Sequence, residues 1–485
     1  MEKLIFTKSI KDRKGYNLPK PEVDININDF LESKYLRKKE LNFPEVSELD
    51  VMRHYIALSH LNHFIEKGFY PLGSCTMKYN PKLHEAIVGS QLLSQIHPNQ
   101  TEDTVQGVLE IMYELQKDLS EIAGMAQTTL QPVAGAQGEF TGLKIIKAYH
   151  NSKGNSHKNV IILPDAAHGT NPATVTLVGM KVVEIKSNEK GMVDLEALKK
   201  VVNENTAGFM LTNPSTLGLF ETQIEEIAEI IHSVDGLMYM DGANMNAQMG
   251  IVKPGHIGFD VMHYNLHKTL STPHGGGGPG SGAVSVREDL VKFLPYPIVD
   301  ISLQPQKKYF LNSEHKETSI GKVHSFYGNF AVNVRAWIYI KTLGSKGLRE
   351  VSENAIINAN YIRKRLEKAF LVPHNHTYCM HEFVASGNWQ KDYGVKTLDI
   401  AKRLLDKGFH APTVYFPLII NEAIMIEPTE TESKQTLDDF VKAMLEIAEE
   451  CVVTPELLLN APHDTPVRRL DDVKAIKDFN VRYQS

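Results

Sequence analysis

The sequence predicts an α/β fold: a mainly parallel central sheet with helices on both faces, a smaller C-terminal α+β domain and an N-terminal arm. Three observations carry that expectation. Short apolar runs of strand length recur between residues 159 and 286. Amphipathic segments with helical spacing separate them. The loops after the runs are unusually rich in His, Asn, Asp and Lys. Strands that are apolar throughout suit a sheet buried on both faces, as parallel sheets are.

Residues 1–95 are expected to form the arm. The first twenty carry six basic and two acidic residues, and Pro19, Pro21 and Pro44 punctuate the segment. Such a polar, Pro-interrupted stretch reads as an extended segment that packs on another surface. Residues 96–340 are expected to form the large domain. Its strands are read at NVIILP (159–164), MKVVEI (180–185), AGFMLTN (207–213), GLMYMD (236–241) and GAVSV (282–286), with a shorter run at VMHYN. Between them DLEALKKVVNE (194–204) opens on an Asp N-cap. ETQIEEIAEIIHSV (221–234) sets Ile224, Ile227, Ile231 and Val234 on one face. Residues 341–485 are expected to form the small domain, entered through the helix ENAIINANYIRKRLEKAF. No internal repeat or low-complexity tract interrupts the pattern.

Composition excludes several classes. The 58 acidic and 52 basic residues give a net charge of −6, which does not suit a nucleic-acid partner. No apolar run reaches the roughly 18 residues that span a bilayer; the best, FPLIINEAIMI, is broken by Asn421 and Glu422. No apolar segment of a secretory signal comes after the N-terminal charges. Cys75, Cys379 and Cys451 are widely spaced and odd in number, so they do not form a disulfide framework. A cytoplasmic protein is expected.

In open α/β sheets ligands collect at the carboxyl ends of the strands. Four neighbouring loops there offer His168, Asn213, Asp241 and Lys268. Each has an ordinary reading: a loop histidine bonded to backbone, an Asn-Pro turn, a helix-capping Asp, a solvated surface lysine. One ligand type accounts for all of them. Pyridoxal phosphate needs a lysine for a Schiff base with its aldehyde, a carboxylate at its ring nitrogen, a flat group over its ring and N–H donors around its phosphate. Lys268, Asp241 and His168 answer the first three. The phosphate cradle is expected at AGAQGE (134–139), where Gly135, Ala136 and Gln137 open a helix and leave its first amides free.

The order phosphate loop, stacking His, Asp, His-Lys resembles the fold type I pyridoxal-phosphate enzymes. Within them the chain is similar to the glycine decarboxylase family, the P-protein of the glycine cleavage system. The resemblance rests on YPLGSCTMK (70–78), QPVAGAQGE (131–139), AHGTNPA (167–173), DGANMNA (241–247), NLHKT (265–269), PHGGGGPG (273–280), GFHAPT (408–413) and IEPTE (426–430). It spans most of the chain and matches the cofactor-bearing half, subunit 2 of the two-subunit form. It implies decarboxylation of glycine with transfer of the aminomethyl group to the lipoyl group of the H-protein. It also implies a partner subunit 1, in an α2β2 heterotetramer. The cofactor contacts it implies are Gly135, Ala136, Gln137, His168, Asn213, Asp241, Ala243, His267 and Lys268, with Lys268 and His168 catalytic. The sequence departs from the fused form's pattern at Asn213, where a Tyr is associated with the cofactor 3-hydroxyl. It departs again at Val133-Ala134, in place of Asn-Ser, which leaves the phosphate to backbone and His267.

The glycine run 275–278 matches G-x-G-x-x-G only trivially and does not join a strand directly to a helix, so a dinucleotide loop is not expected. No G-x-S-x-G accompanies it, which argues against an oxyanion hole of the hydrolase type. It is read instead as a close-packed loop beside the cofactor, with His274 a candidate for the glycine carboxylate; Thr269 is a weaker site candidate beside Lys268 and His267. HNHTYCMH (His374, His376, Cys379, His381) is read as strand-like rather than metal-binding, and no metal is expected. Two rivals remain. Another fold type I amino-acid decarboxylase would share Lys268, Asp241 and His168 but turn over without a lipoyl protein. A non-catalytic partner subunit would have no use for Lys268.

Overall fold

The structure is a computed structural model and describes residues 3–482 except 21, 40, 98, 99 and 276. It divides into two compact units, residues 1–67 with 464–485 and residues 68–463. In the first unit, the helix Glu48–Ser59 is started by a capping box in which Ser47 and Asp50 bond each other's backbone amides. Arg13 reaches Asp50 at 2.8 Å. Leu18, Phe30 and Phe43 are exposed.

The second unit is built on a seven-stranded sheet. Its strands are β1 (Gln127–Thr129), β2 (Val160–Pro164), β3 (Lys181–Ile185), β4 (Thr206–Thr212), β5 (Leu237–Gly242), β6 (Val261–Tyr264) and β7 (Val284–Val286), in the order 1-7-6-5-4-2-3. Strands β2 to β6 pair in parallel, and each apolar run read from the sequence forms one of the strands. Strand β7 runs antiparallel to β6. A parallel return needs a long crossover, usually helical. The described residues of 265–283 supply only the four-residue turn Leu266–Thr269.

Helices cover both faces. Alternation along β4 and β5 sends Phe209, Leu211, Met238 and Met240 to one side and Met210, Leu237 and Tyr239 to the other. The first set packs on helices α1 (Gln106–Ala123), α5 (Ile224–His232) and the start of α6 (Phe330–Leu366). The second packs on α2 (Gly135–Ser152) and α3 (Thr170–Leu177), while α4 (Leu195–Val201) sends Leu198 to the first side. Each such side chain stabilises the fold by about 1.5–3 kcal/mol through burial. Both faces are therefore closed off by helices, and the polar side chains buried mid-strand are matched, Thr128 of β1 bonding Ser285 of β7 at 2.6 Å.

Helix α6 is kinked at Gly344, where φ is 61°. Its second half packs Ala359, Ile362 and Leu366 into a separate core. That core is completed by α7 (Thr397–Asp406), α8 (Lys434–Val453) and a three-stranded antiparallel sheet. After the hairpin β8 (Ile298–Ser302) and β9 (Lys308–Asn312), the sheet comprises β10 (Phe383–Ser386), β11 (Thr413–Val414) and β12 (Ala423–Ile426), with β12 central.

The segment 70–78 is laid on this sheet. Leu72 bridges Ile426, and the Gly73 amide donates to the Met425 carbonyl. Gly73 is required by that approach, since a Cβ there would lie 2.0 Å from Met425 Cγ. Among the described residues no helix is long and apolar enough to cross a membrane.

Candidate active site

Strand β3 leaves β2 toward one edge and β4 returns on its other side, so the chain reverses direction across the sheet at β2 and β4. A crevice opens at the carboxyl ends of strands beside such a reversal. A cavity of about 190 Å3 lies there, lined by Gly135, Ala136, His168, Thr212, Asp241, Ala243, His267 and Lys268 together with Ser74, Glu139, Thr170, Thr216, His263 and Asn265. Seven of the nine residues expected to contact a cofactor thus converge on one space. Gln137 and Asn213 do not line it.

Asp241 ends β5 and is buried. Its Oδ2 accepts from Asn171 Nδ2 at 3.1 Å and its Oδ1 from the Ala243 amide at 2.9 Å. His263, its cross-strand neighbour on β6, brings Nε2 to 3.3 Å of Oδ1. Burial pushes this carboxyl up, but His263, the two donors and Lys268 outweigh it and hold it below the usual carboxylate value. A negative charge therefore persists in a dry strand end. His263 is in turn fixed by Tyr239, whose hydroxyl lies 2.9 Å from Nδ1 and donates to the Gly138 carbonyl at 3.2 Å.

Lys268 is on the turn after β6, and its Nζ donates to the Ser74 carbonyl at 2.8 Å. The neighbouring His267 is pushed down to about 3, chiefly by burial and then by Lys268 and His274. It is a neutral imidazole at physiological pH. Its Nδ1 accepts from the Ser281 amide at 3.2 Å, so its one proton sits on Nε2, available as a donor. His168 is exposed at the rim. Its Nδ1 is 2.9 Å from Thr170 Oγ1, and its ring meets Phe416 edge-on at 5.6 Å.

Helix α2 begins at Gly135, so the expected cradle is its first turn, with amide N–H groups that have no partner within the helix. Gly135 is needed there because a Cβ would lie 2.3 Å from Asn265 Oδ1. Gln137 turns its side chain away: Oε1 accepts from the Val133 amide and Nε2 donates to the Val323 carbonyl. Only its backbone faces the helix mouth. Asn213 also stands outside the lining: its Oδ1 accepts from the Glu221 amide at 3.0 Å, and its Nδ2 is buried without a protein partner. Its neighbour Thr212 lines the cavity instead, and Thr212 Oγ1, Asn265 Oδ1 and Glu139 Oε2 are buried without a protein partner. A cavity holding a lysine amine, a carboxylate, a helix N-terminus and unmatched polar atoms fits a phosphorylated pyridine aldehyde in each of its groups.

Several lining residues escape a reading of the loops alone. His263 lies inside an apolar run, where its pairing with Asp241 comes only from strand register. Ser74 is 194 residues from Lys268, so only the GSCTMK motif hinted at a role for it.

The glycine run proves to be of two kinds, and Gly276 lies outside the described residues. Gly275 and Gly277 have φ of 59° and 122° with open space around them, so they serve backbone conformation rather than close packing. A Cβ on Gly280 would lie 2.9 Å from His267 Nδ1, so there the close-packed reading holds. His274 sets its ring edge-on to His267 at 5.5 Å. Thr269 is buried outside the lining. His381 of the HNHTYCMH stretch meets Glu382 and Glu427 rather than His374 and His376, whose rings lie 6.4 Å apart.

Two family models match the chain: aminotransferase class-V over residues 141–300 and the glycine dehydrogenase C-terminal domain over 351–463. A probable glycine dehydrogenase (decarboxylating) subunit 2 of Bacillus cytotoxicus is 54% identical over 482 residues, 99% of this chain and 97% of the relative. One from Alkaliphilus oremlandii is 55% identical over 483 residues, 99% and 98% of the two chains. Among solved structures, a glycine decarboxylase (P-protein) of the glycine cleavage system in inhibitor-bound form superposes with a TM-score of 0.73 at 19% identity, covering 87% of this chain and 94% of the other. A Lactobacillus brevis glutamate decarboxylase gives 0.63 at 13%, covering 90% and 96%. These two likenesses concern the fold.

Proposed function

Since the chain belongs to the family of glycine dehydrogenase (decarboxylating) subunit 2, we propose that it carries out the pyridoxal-phosphate-dependent decarboxylation of glycine and passes the aminomethyl group to the lipoyl group of the H-protein. The observation that carries the reading is the convergence of Lys268, Asp241, His168 and the Gly135 helix mouth on one cavity. The relatives' name implies a first subunit as partner. We assign an α2β2 assembly with it and a cytoplasmic setting.

When bound, pyridoxal phosphate supplies an aldehyde that joins the substrate amine and a ring that accepts the electron pair left as CO2 departs. The chain's own residues do the rest. Lys268 would hold the cofactor through its amine, which here donates to the Ser74 carbonyl. Asp241 keeps the ring nitrogen protonated. Its charge is pre-set by His263, Asn171 and Ala243, so the stabilising field needs no reorganisation during the reaction. The amides of Gly135, Ala136 and Gln137, with Nε2–H of His267, hold the phosphate. His168 would lie over the ring, steadied by Thr170, whose hydroxyl donates to Glu139 at 2.6 Å. Thr212, rather than Asn213, is assigned to the ring hydroxyl, because its Oγ1 faces the cavity with no protein partner.

The test is exchange of labelled bicarbonate into glycine by the chain copurified with its first subunit, with and without lipoylated H-protein. Exchange that requires the H-protein and vanishes in Lys268→Ala is expected. Release of free methylamine without the H-protein would instead mark an ordinary amino-acid decarboxylase.

A further inference from the structure

Behind Lys268 lies a second polar cluster that the proposed reaction does not use. His381, Glu382 and Glu427 are fully buried, with His381 Nε2 3.9 Å from Glu382 Oε1 and 3.8 Å from Glu427 Oε1. Both carboxylates point at the loop 73–76. Glu382 Oε2 accepts from the Ser74 amide at 2.6 Å, and its Oε1 accepts from Asn244 Nδ2 at 3.1 Å. Glu427 Oε1 accepts from the Thr76 hydroxyl at 2.5 Å. Thr413 Oγ1 adds a bond to the Gly73 carbonyl at 2.9 Å. Ser74 itself has a left-handed φ of 65°, which a serine adopts only under such restraint. The outcome is a carbonyl turned toward Lys268 Nζ.

Buried carboxylates cost several kcal/mol of desolvation when charged, and a loop can be fixed without them. Their retention next to a lysine calls for a use. We propose that Glu382 and Glu427 are positioning residues that hold the Ser74 carbonyl as the dock for the Lys268 amine, and so govern how readily that lysine lets go of the cofactor and recaptures it. The inference rests on reading Lys268 as the cofactor lysine.

The charged and titratable groups that face the cluster are Lys268, Cys75, Lys78 and Cys379. Lys78 is matched by Glu430 at 2.8 Å. Burial pushes Glu427 well up, with Glu382 adding to it, and pushes Glu382 up to about 7. Both shifts disfavour a second negative charge in the pair, and Glu382, whose oxygens both accept from N–H donors, is the better placed of the two to carry one. His381 is held neutral by burial. A Gln at 382 has one acceptor and one donor group, so it cannot accept from both the Ser74 and Asn244 N–H groups.

The full-length chain, copurified with its partner subunit and loaded with pyridoxal phosphate, is titrated while the visible band of the lysine-bound cofactor is recorded. Glu382→Gln is expected to lower the pH midpoint of the band change by about one unit, because a carboxylate facing the lysine has become neutral. Glu382→Asp is expected to restore part of that shift. An unmoved midpoint in Glu382→Gln overturns the inference. If that variant does not fold, Thr76→Val, which removes only the hydroxyl tying the loop to Glu427, is read in the same way, and an unmoved midpoint there overturns it equally. A band that survives in Lys268→Ala overturns the cofactor reading itself. A band lost there, with unmoved midpoints in the loop variants, overturns only the dock.

Discussion

Asp241 and His263 face each other across adjacent parallel strands, Oδ1 to Nε2 at 3.3 Å, in the register that pairs β5 with β6. The contact couples the sheet to the chemistry, because the same buried imidazole is fixed on its other side by Tyr239. A change at either residue therefore reaches the other.

Asp241→Asn keeps the size of the side chain and removes its charge. The glycine exchange rate is expected to fall by on the order of 100-fold or more, as when a pre-set electrostatic partner is lost. The chain is expected to remain folded by circular dichroism.

His263→Leu is expected to destabilise the chain by about 2–4 kcal/mol, because it strands a buried carboxylate and deprives the Tyr239 hydroxyl of a partner. The measurement is the urea midpoint at constant m-value. The cofactor band should weaken in parallel.

The pH dependence of stability carries a signature from His267. Its folded pKa lies near 3 against an ordinary 6.5, so between those values the unfolded chain binds the proton and the folded chain does not. Stability must therefore rise with pH across that window, by up to about 1.4 kcal/mol per unit from this group, and fall as acid is added. Glu427 acts oppositely. Its folded pKa is raised, so its contribution is present below about 4.5 and is lost as pH climbs toward the folded value. His267→Asn should flatten the slope by about one proton, and Glu427→Gln should gain stability relative to the parent on the alkaline side. Unfolding free energies measured from pH ~4 to ~8 check both signs.

The two kinds of glycine in the run 275–280 should separate cleanly. Gly275→Asn keeps access to a left-handed φ and has open space around it, so less than about 1 kcal/mol is expected. Gly280→Ala pushes a Cβ to 2.9 Å from His267 Nδ1, where the ring must move. Equilibrium dialysis should find pyridoxal phosphate bound several-fold more weakly by the second variant only, through loss of the Nε2–H donor.

How far the site can be read from sequence depends on how each residue reaches it. Lys268, Asp241 and His168 are legible because parallel strands deliver the residues after their carboxyl ends to one crevice, whatever lies between them in the chain. The strands themselves stand out because helices close off both faces. Asn213 misleads for a local reason. It sits in the right loop, but its side chain bonds the Glu221 amide and the cavity receives Thr212, one position earlier and on the opposite face. His263 needs strand register, which apolar runs do not encode. Ser74 needs the packing of segment 70–78 on the β12 strand, a contact across hundreds of residues that only a motif could announce.

Everything proposed for the site depends on Lys268 carrying the cofactor. Borohydride reduction of the loaded complex, with proteolysis and mass spectrometry of the products, tests it most directly. A pyridoxyl group on the peptide containing Lys268, and no trapped group in Lys268→Ala, is the predicted result. Label on another lysine, or undiminished trapping in the variant, would contradict it.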